Sequence, residues 1–205
     1  METNYHPEWQ INRVQFLIEQ FGTEFFRGKR ILELAPYNGY IGARFSELGA
    51  MVHCVEGRQD NANNIRRNFP QLSVEVADLD TPDWVWGKWD IIINFGLFYH
   101  LEKYHKEHLL NCLNNCKFMF FESVIFDSFE PEIFFREERG DDQSLTERGG
   151  SPSTSYVENI FTEASATFTK FSSSKLNGER HHYDWVDTNS KTPSAWARRL
   201  WVVSM

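Results

Sequence analysis

Between Lys29 and Ile125 the chain alternates short apolar runs with stretches of helical periodicity, and few folds accept that rhythm. The runs are Ile31–Ala35, Met51–Glu56, Leu72–Ala77, Trp89–Phe95 and Lys117–Ile125. Apolar runs of this length suit strands covered on both faces, which parallel sheets flanked by helices provide. Between the runs, Ile41, Phe45 and Leu48 share one helical face. Asp60 stands as an N-cap before a polar helix through Ile65 and Phe69, closed by Pro70. Leu109, Leu110 and Leu113 fall on a helix from Lys106 to Asn115. Upstream, Val14, Leu17, Ile18 and Phe21 form the stripe of an amphipathic helix over about Glu8–Phe21. A helix near Ser155–Ala164, a strand at Thr167–Ser172 and a terminal strand at Arg199–Val203 follow later. The expected fold is a doubly wound α/β sheet, mostly parallel and seven-stranded, with helices on both faces.

At 205 residues the chain is sized for one core. It divides into an N-terminal helical segment (1–28), a core (29–125), an unpatterned charged segment (126–152) and a C-terminal part with a helix and strands (153–205). The segment 126–152 contains Gly140 and Gly149-Gly150 and exceeds what a connection requires, so it reads as a lid or as a disordered insertion. No apolar run approaches the roughly 20 residues needed to cross a bilayer. Met1–Gln10 lacks a basic region followed by an apolar one, and the expected compartment is the cytoplasm. Cys54, Cys112 and Cys116 are too few and wrongly spaced for a zinc motif and read as reduced thiols. A formal net charge of −8 repels polyanions. The pairs Arg66-Arg67 and Arg198-Arg199 suit solvated faces, so a nucleic-acid partner is disfavoured. His105 and His108 share a helical face without an acidic or cysteine partner nearby in sequence, and no metal is expected.

The first apolar run continues into Pro36-Tyr37-Asn38-Gly39-Tyr40-Ile41-Gly42. In open α/β sheets, ligands bind beyond the carboxyl ends of the strands, beside helix amino termini. The GxGxxG fingerprint is absent, because Ala35 and Tyr37 occupy glycine positions. A pyrophosphate cradle is therefore poor, and a cofactor without phosphates suits the turn better. Glu56 ends the second run 23 residues after Glu33, the spacing at which a carboxylate grips a ribose diol. Asp78 follows the third run, so three acidic residues stand at three successive strand ends.

With these residues the chain resembles the class I S-adenosylmethionine-dependent methyltransferases, from Lys29 to Ile125 in motif and beyond that in outline. The resemblance implies a seven-stranded sheet with an antiparallel terminal strand, and S-adenosylmethionine as cofactor. It places Glu33, Ala35, Pro36, Tyr37 and Gly39 against the amino-acid portion of the cofactor, with Glu33 orienting the sulfonium end. It assigns Glu56 and Gly57 to the ribose, and Asp78 and Leu79 to the adenine. The segment from Asn94, Phe95 and Gly96 to Tyr99-His100-Leu101 matches small-molecule members, in which these residues line the site between cofactor and acceptor. The Pro-Pro-aromatic turn of DNA amino-methyltransferases is absent. The implied activity is in-line methyl transfer to a small, polar or sugar-like acceptor.

Two residues are candidates for the chemistry. His100 is suited to proton removal near neutral pH. Glu122, in the apolar run Phe118–Ser123, needs either a structural partner or a task facing the acceptor. Trp9, Phe98, Tyr99, Phe134 and Phe135 read as packing or as aromatic walls for a cation. Arg136, Glu137, Arg139 and Arg148 are placed to meet a polar or acidic acceptor, and His181–Trp185 reads as a surface loop or as the rim of the site. The rival functions are a cofactor-binding regulatory protein without turnover, and a nicotinamide oxidoreductase, which the missing fingerprint disfavours.

Overall fold

The computed structural model describes residues 7–82, 87–140, 143–194 and 196–205. Residues 1–6 of the N-terminal segment and 141–142 of the expected lid therefore lie outside the described residues. Helix α1 (Glu8–Phe21) leads into a run of alternating elements: β1 (Arg30–Leu34), α2 (Tyr40–Glu47), β2 (Met51–Glu56), α3 (Gln59–Asn68), β3 (Ser73–Val76), β4 (Trp89–Phe95), α4 (His105–Asn114) and β5 (Cys116–Val124). Then come β6 (Ile133–Glu137), β7 (Arg148–Pro152), α5 (Thr154–Glu163), β8 (Thr167–Phe171) and β9 (Arg198–Ser204). The large sheet has the order β3-β2-β1-β4-β5-β9-β8. All its pairings are parallel except those of β9, which runs antiparallel to both β5 and β8. The antiparallel strand is thus inserted one place in from the edge.

Side chains on the central strands alternate between two cores. Ile31, Ile91, Ile93 and Phe120 pack with Leu17, Phe45 and Ile65 from α1, α2 and α3. Leu32, Ile92, Met119 and Phe121 pack with Leu109, Leu113 and Phe161 from α4 and α5. This period of two, with apolar residues at both phases, is why the runs look continuous in sequence. Between β1 and β4 the order reverses direction, and their carboxyl ends diverge into a crevice.

The segment 126–152 departs from its expected lack of pattern, because β6 and β7 form an antiparallel hairpin. Its second strand reads Arg-Gly-Gly-Ser-Pro, a composition that disguises it. A Cβ on Gly149 would lie 2.3 Å from the Tyr99 carbonyl oxygen, so glycine is required where the hairpin presses on the turn after β4. Arg198 and Arg199 also depart from expectation: both are buried, because β9 lies between two other strands. Arg66 and Arg67 are exposed. The three cysteines are free, with Cys54 and Cys112 buried. Among the described residues no helix is long and apolar enough to cross a membrane.

Phe121 is fully buried, with ring centroids 5.2 Å from Phe98, 5.6 Å from Trp201 and 5.9 Å from Phe161. Phe121→Ala should lower unfolding free energy by about 3–5 kcal/mol in urea titrations. A loss below about 1 kcal/mol would contradict this packing.

Candidate functional site

A cleft of about 400 Å³ opens at the carboxyl ends of β1, β2 and β4. That volume is within the range of small-ligand sites. Glu33, Ala35, Pro36 and Tyr37 line it from β1 and its turn, Glu56 and Gly57 from β2, and Asp78 and Leu79 from beyond β3. Phe95, Gly96 and His100 line it from β4 and the turn that follows. Eleven of the fourteen residues singled out in sequence thus converge on one cavity, and Gly39, Asn94 and Glu122 stand behind its wall.

Each of those three has another task. A Cβ on Gly39 would meet Ile65 at 2.8 Å, so this residue lets α2 start close to α3. Asn94 is fully buried, and its amide Nδ2 lies 2.9 Å from His108 Nε2, joining β4 to α4. Glu122 is fully buried beneath Gly96, where its Oε1 accepts from Arg198 Nη1 at 2.9 Å and the Tyr183 hydroxyl at 3.3 Å and forms an ion pair with Arg13 Nη2 at 2.9 Å. Burial raises the Glu122 pKa, but the charges of Arg13 and Arg198 outweigh it and hold the carboxyl below its ordinary value. Two guanidinium groups hold it as an anion.

The turn after β1 has no glycine at positions 35 and 37, yet it adopts the glycine conformation. Ala35 has φ 50°, Tyr37 φ 57° and Gly39 φ 79°. Non-glycine residues hold this region only where the surroundings impose it. Here the Ala35 amide donates to the Val55 carbonyl at 2.8 Å, and the Tyr37 amide to Glu56 Oε2 at 3.1 Å. From α1, the Gln10 and Asn38 side-chain amides exchange two hydrogen bonds of 3.0 Å. Glu56 also accepts from the Arg58 amide at 3.0 Å and from Asn61 Nδ2 at 3.3 Å. Its pKa is nevertheless raised, burial being the largest cause.

Glu33 is 2% exposed, with the Cys54 thiol 3.6 Å away. A Cβ on Gly42 would lie 2.3 Å from its Oε2, so the first turn of α2 needs glycine to admit the carboxyl. Burial pushes the Glu33 pKa up to about 8, against the lowering effect of Cys54 and the Gly42 amide. Asp78 is exposed and accepts from the Asp80 amide at 2.9 Å.

In the second half of the cleft, His100, Trp9, Tyr99 and His181 are expected from sequence, whereas Gln10, Arg13, Glu138 and Arg198 are not. His100 Nδ1 lies 2.5 Å from Glu138 Oε2, and Glu138 Oε1 accepts from Arg136 Nη2 at 2.9 Å. Burial disfavours the Glu138 anion, but His100 and Arg136 more than compensate and keep its pKa low. A neutral His100 ring that donates from Nδ1 to this carboxylate keeps Nε2 as its proton acceptor. Arg139 pairs with Glu137, and Arg148 with Glu102, so these charges are engaged outside the cavity. At the hairpin tip, Gln143 to Thr146 line the cleft, and Arg58 Nη2 donates to the Gln143 carbonyl at 2.8 Å. Trp9, Gln10, Arg13, His181 and Arg198 complete the wall. Trp9 and Tyr99 face the cavity, whereas Phe134 stacks on Phe126 and Phe135 meets His105 edge to face. Gln10, Arg13 and Leu17 lie at helical spacing on the buried face of α1, the one sequence signal that pointed to Arg13. Among the described residues no group of three or more His, Cys, Asp or Glu could hold a metal.

No protein-family model matches the sequence, and no curated protein does. Solved structures do match. The N-terminal domain of EvdMO1, solved in the presence of S-adenosylhomocysteine and D-fucose, superposes with a TM-score of 0.67 at 16% identity over 98% of this chain and 84% of that one. A S-adenosylmethionine-dependent methyltransferase from Clostridium acetobutylicum ATCC 824 gives 0.66 at 11% identity, over 96% and 92% of the two chains. The glycopeptide N-methyltransferase MtfA gives 0.63 at 10% identity, over 98% and 92%. The likeness is one of fold, and the fold is that of the class I methyltransferases.

Two outcomes follow from the turn and its acid. Ala35→Gly removes a left-handed strain of about 1–2 kcal/mol and adds backbone entropy to the unfolded chain, for a net gain of up to about 1 kcal/mol in chemical denaturation. A loss of stability would mean that Ala35 is unstrained. Glu33 binds its proton more tightly folded than unfolded, so its contribution to stability falls as pH rises from about 4.5 to about 8 and is level above. Thermal melts should show this slope in the wild type and a shallower one in Glu33→Gln.

Proposed function

We propose that this chain, with the fold of the class I methyltransferases, transfers a methyl group from S-adenosylmethionine to a small, polar or sugar-like acceptor. The observation that carries the reading is the convergence of Glu33, Glu56 and Asp78 from three successive strand ends on one cleft. The donor set fits the cofactor. Carboxylates and backbone amides surround the turn, and Arg58 in the wall is engaged by the hairpin tip. Such a lining suits a cationic sulfonium, a ribose diol and an adenine amino group better than a pyrophosphate. Glu33 and the turn 35–37 would hold the amino-acid end, Glu56 and Gly57 the ribose, and Asp78 and Leu79 the adenine.

When bound, S-adenosylmethionine supplies an electrophilic methyl, which passes to an acceptor oxygen or nitrogen while the carbon–sulfur bonding pair stays on sulfur. The chain's own contribution is alignment, exclusion of water and removal of the acceptor proton. His100 Nε2 takes that proton, and Glu138 fixes the ring and offsets the charge it gains. Glu122 acts at one remove, by holding Arg13 and Arg198 in the wall. The hairpin tip closes over Gly57 and Arg58, so as a lid it bears on the cofactor end as well as on the acceptor. A built site of this kind favours turnover over cofactor binding alone.

The test is calorimetry with S-adenosylhomocysteine, followed by a screen of small metabolites and sugars with labelled cofactor. S-adenosylhomocysteine should bind and raise the melting temperature. Glu56→Ala should weaken it by roughly tenfold or more, the loss of charged hydrogen bonds at about 1.5–3 kcal/mol each. Because ionised Glu33 attracts the sulfonium, S-adenosylmethionine should bind more tightly as pH rises towards about 8. His100→Ala should lower kcat by about 10²–10⁴ with cofactor affinity unchanged. Absence of binding at millimolar ligand would discard the reading. Binding with no product from any acceptor would favour the regulatory alternative.

A further inference from the structure

Behind Gly96, two guanidinium groups share a single carboxylate oxygen, that of Glu122. Arg13 is fully buried and Arg198 is 6% exposed, and both reach the cleft wall. One anion against two cations leaves an excess positive charge in a place largely closed to water. The neighbours do not neutralise it. Tyr183, whose pKa burial raises, receives Arg13 Nε at 2.8 Å, the Tyr99 hydroxyl receives Arg198 Nη2 at 3.2 Å, and the Trp9 ring centroid lies 4.4 Å from the Arg13 guanidinium carbon. Arg13 Nη1 and Nη2, Arg198 Nε and Glu122 Oε2 are buried and have no hydrogen-bond partner among the described residues. The lining His181 is held far below its ordinary pKa, by burial first and then by the charges of Arg198 and Arg13. Arg13 and Arg198 both line the cavity, and an incompletely neutralised pair of buried cations there favours an anion.

The site belongs to the acceptor side of the cleft. Glu122 stands at the end of β5, in register with Phe95 on β4, whereas Glu33, Glu56 and the residues after β3 lie on the opposite side of β4. Tyr99, bonded to Arg198, also packs its ring 4.1 Å from His100, so the guanidinium pair and the proton acceptor flank one space. The carboxylates of the cleft lie on the cofactor side, so the positive charge at this end is offset only when an anion binds beside it. From these observations, and resting on the methyltransferase reading above, we infer that the methyl acceptor carries a carboxylate, held by Arg13 and Arg198 while its hydroxyl or amine faces His100. The arginines on the hairpin do not serve this role, since Arg136, Arg139 and Arg148 each already pair with a carboxylate.

The test uses the full chain saturated with S-adenosylhomocysteine, titrated in a calorimeter with lactate, benzoate and galacturonate and with their neutral counterparts lactamide, benzamide and galactose. At least one carboxylate should bind at least tenfold more tightly than its neutral counterpart, and the preference should shrink with added salt. Arg198→Gln should abolish that preference and leave S-adenosylhomocysteine affinity within threefold. Arg198→Lys, which keeps the charge but loses the planar fork, should weaken the carboxylate about tenfold and serves where the glutamine variant does not fold. No preference for any carboxylate would overturn the inference. So would a loss of S-adenosylhomocysteine binding in Arg198→Gln with carboxylate binding intact, since the pair would then hold the cofactor's own carboxylate. If the wild type binds a carboxylate but not S-adenosylhomocysteine, the anion site stands and the methyltransferase reading falls.

Discussion

The buried carboxylate of Glu122 is the point on which the cleft is assembled. It gathers Arg13 from α1, Arg198 from β9 and Tyr183 from the loop before β9, so segments far apart in sequence meet over the end of β5. Desolvating three charges is unfavourable, and only close pairing offsets it. A network of this kind is weak evidence for stability and stronger evidence for specified geometry. Here it brings α1 and β9 together in one wall of the cavity.

The cofactor-side wall is fixed by backbone conformation rather than by charge. The turn after β1 bends through left-handed positions at Ala35, Tyr37 and Gly39, and only the last is a residue that adopts that region freely. Tyr37 is held there by Glu56, and the whole turn is clamped by the reciprocal Gln10–Asn38 amide pair. Local preference is overruled by bonds from two neighbouring elements, which explains how a glycine-poor sequence builds a glycine-type turn. Glu56 therefore supports the turn as well as lining the cleft.

The hairpin joins the two walls. Gly149 lets β7 press against the turn carrying Tyr99 and His100, and β6 runs on to Glu138, whose carboxylate meets the His100 ring. Its tip crosses to Arg58 at the other end of the cavity. One hairpin thus contacts both His100 and Arg58, at opposite ends of the cavity.

The sequence by itself determined the sheet and half of the site. Apolar runs at both phases of a two-residue period suit strands buried on both faces, as β1, β4 and β5 are, and in a parallel sheet the acidic residues that end β1 and β2 or follow β3 emerge together at the carboxyl edge. The hairpin was illegible because β7 is built from Arg-Gly-Gly-Ser-Pro, whose glycines serve close approach rather than strand propensity. Arg198 and Arg199 read as surface charges because nothing local records that β9 lies between two strands. Glu122 carried the same ambiguity: a carboxylate in an apolar run has no meaning until its counter-charges arrive, and they come from 109 residues upstream and 76 downstream. Only the tertiary structure brings them together, because ion pairing depends on distance in space, and spacing along the chain carries no information about it.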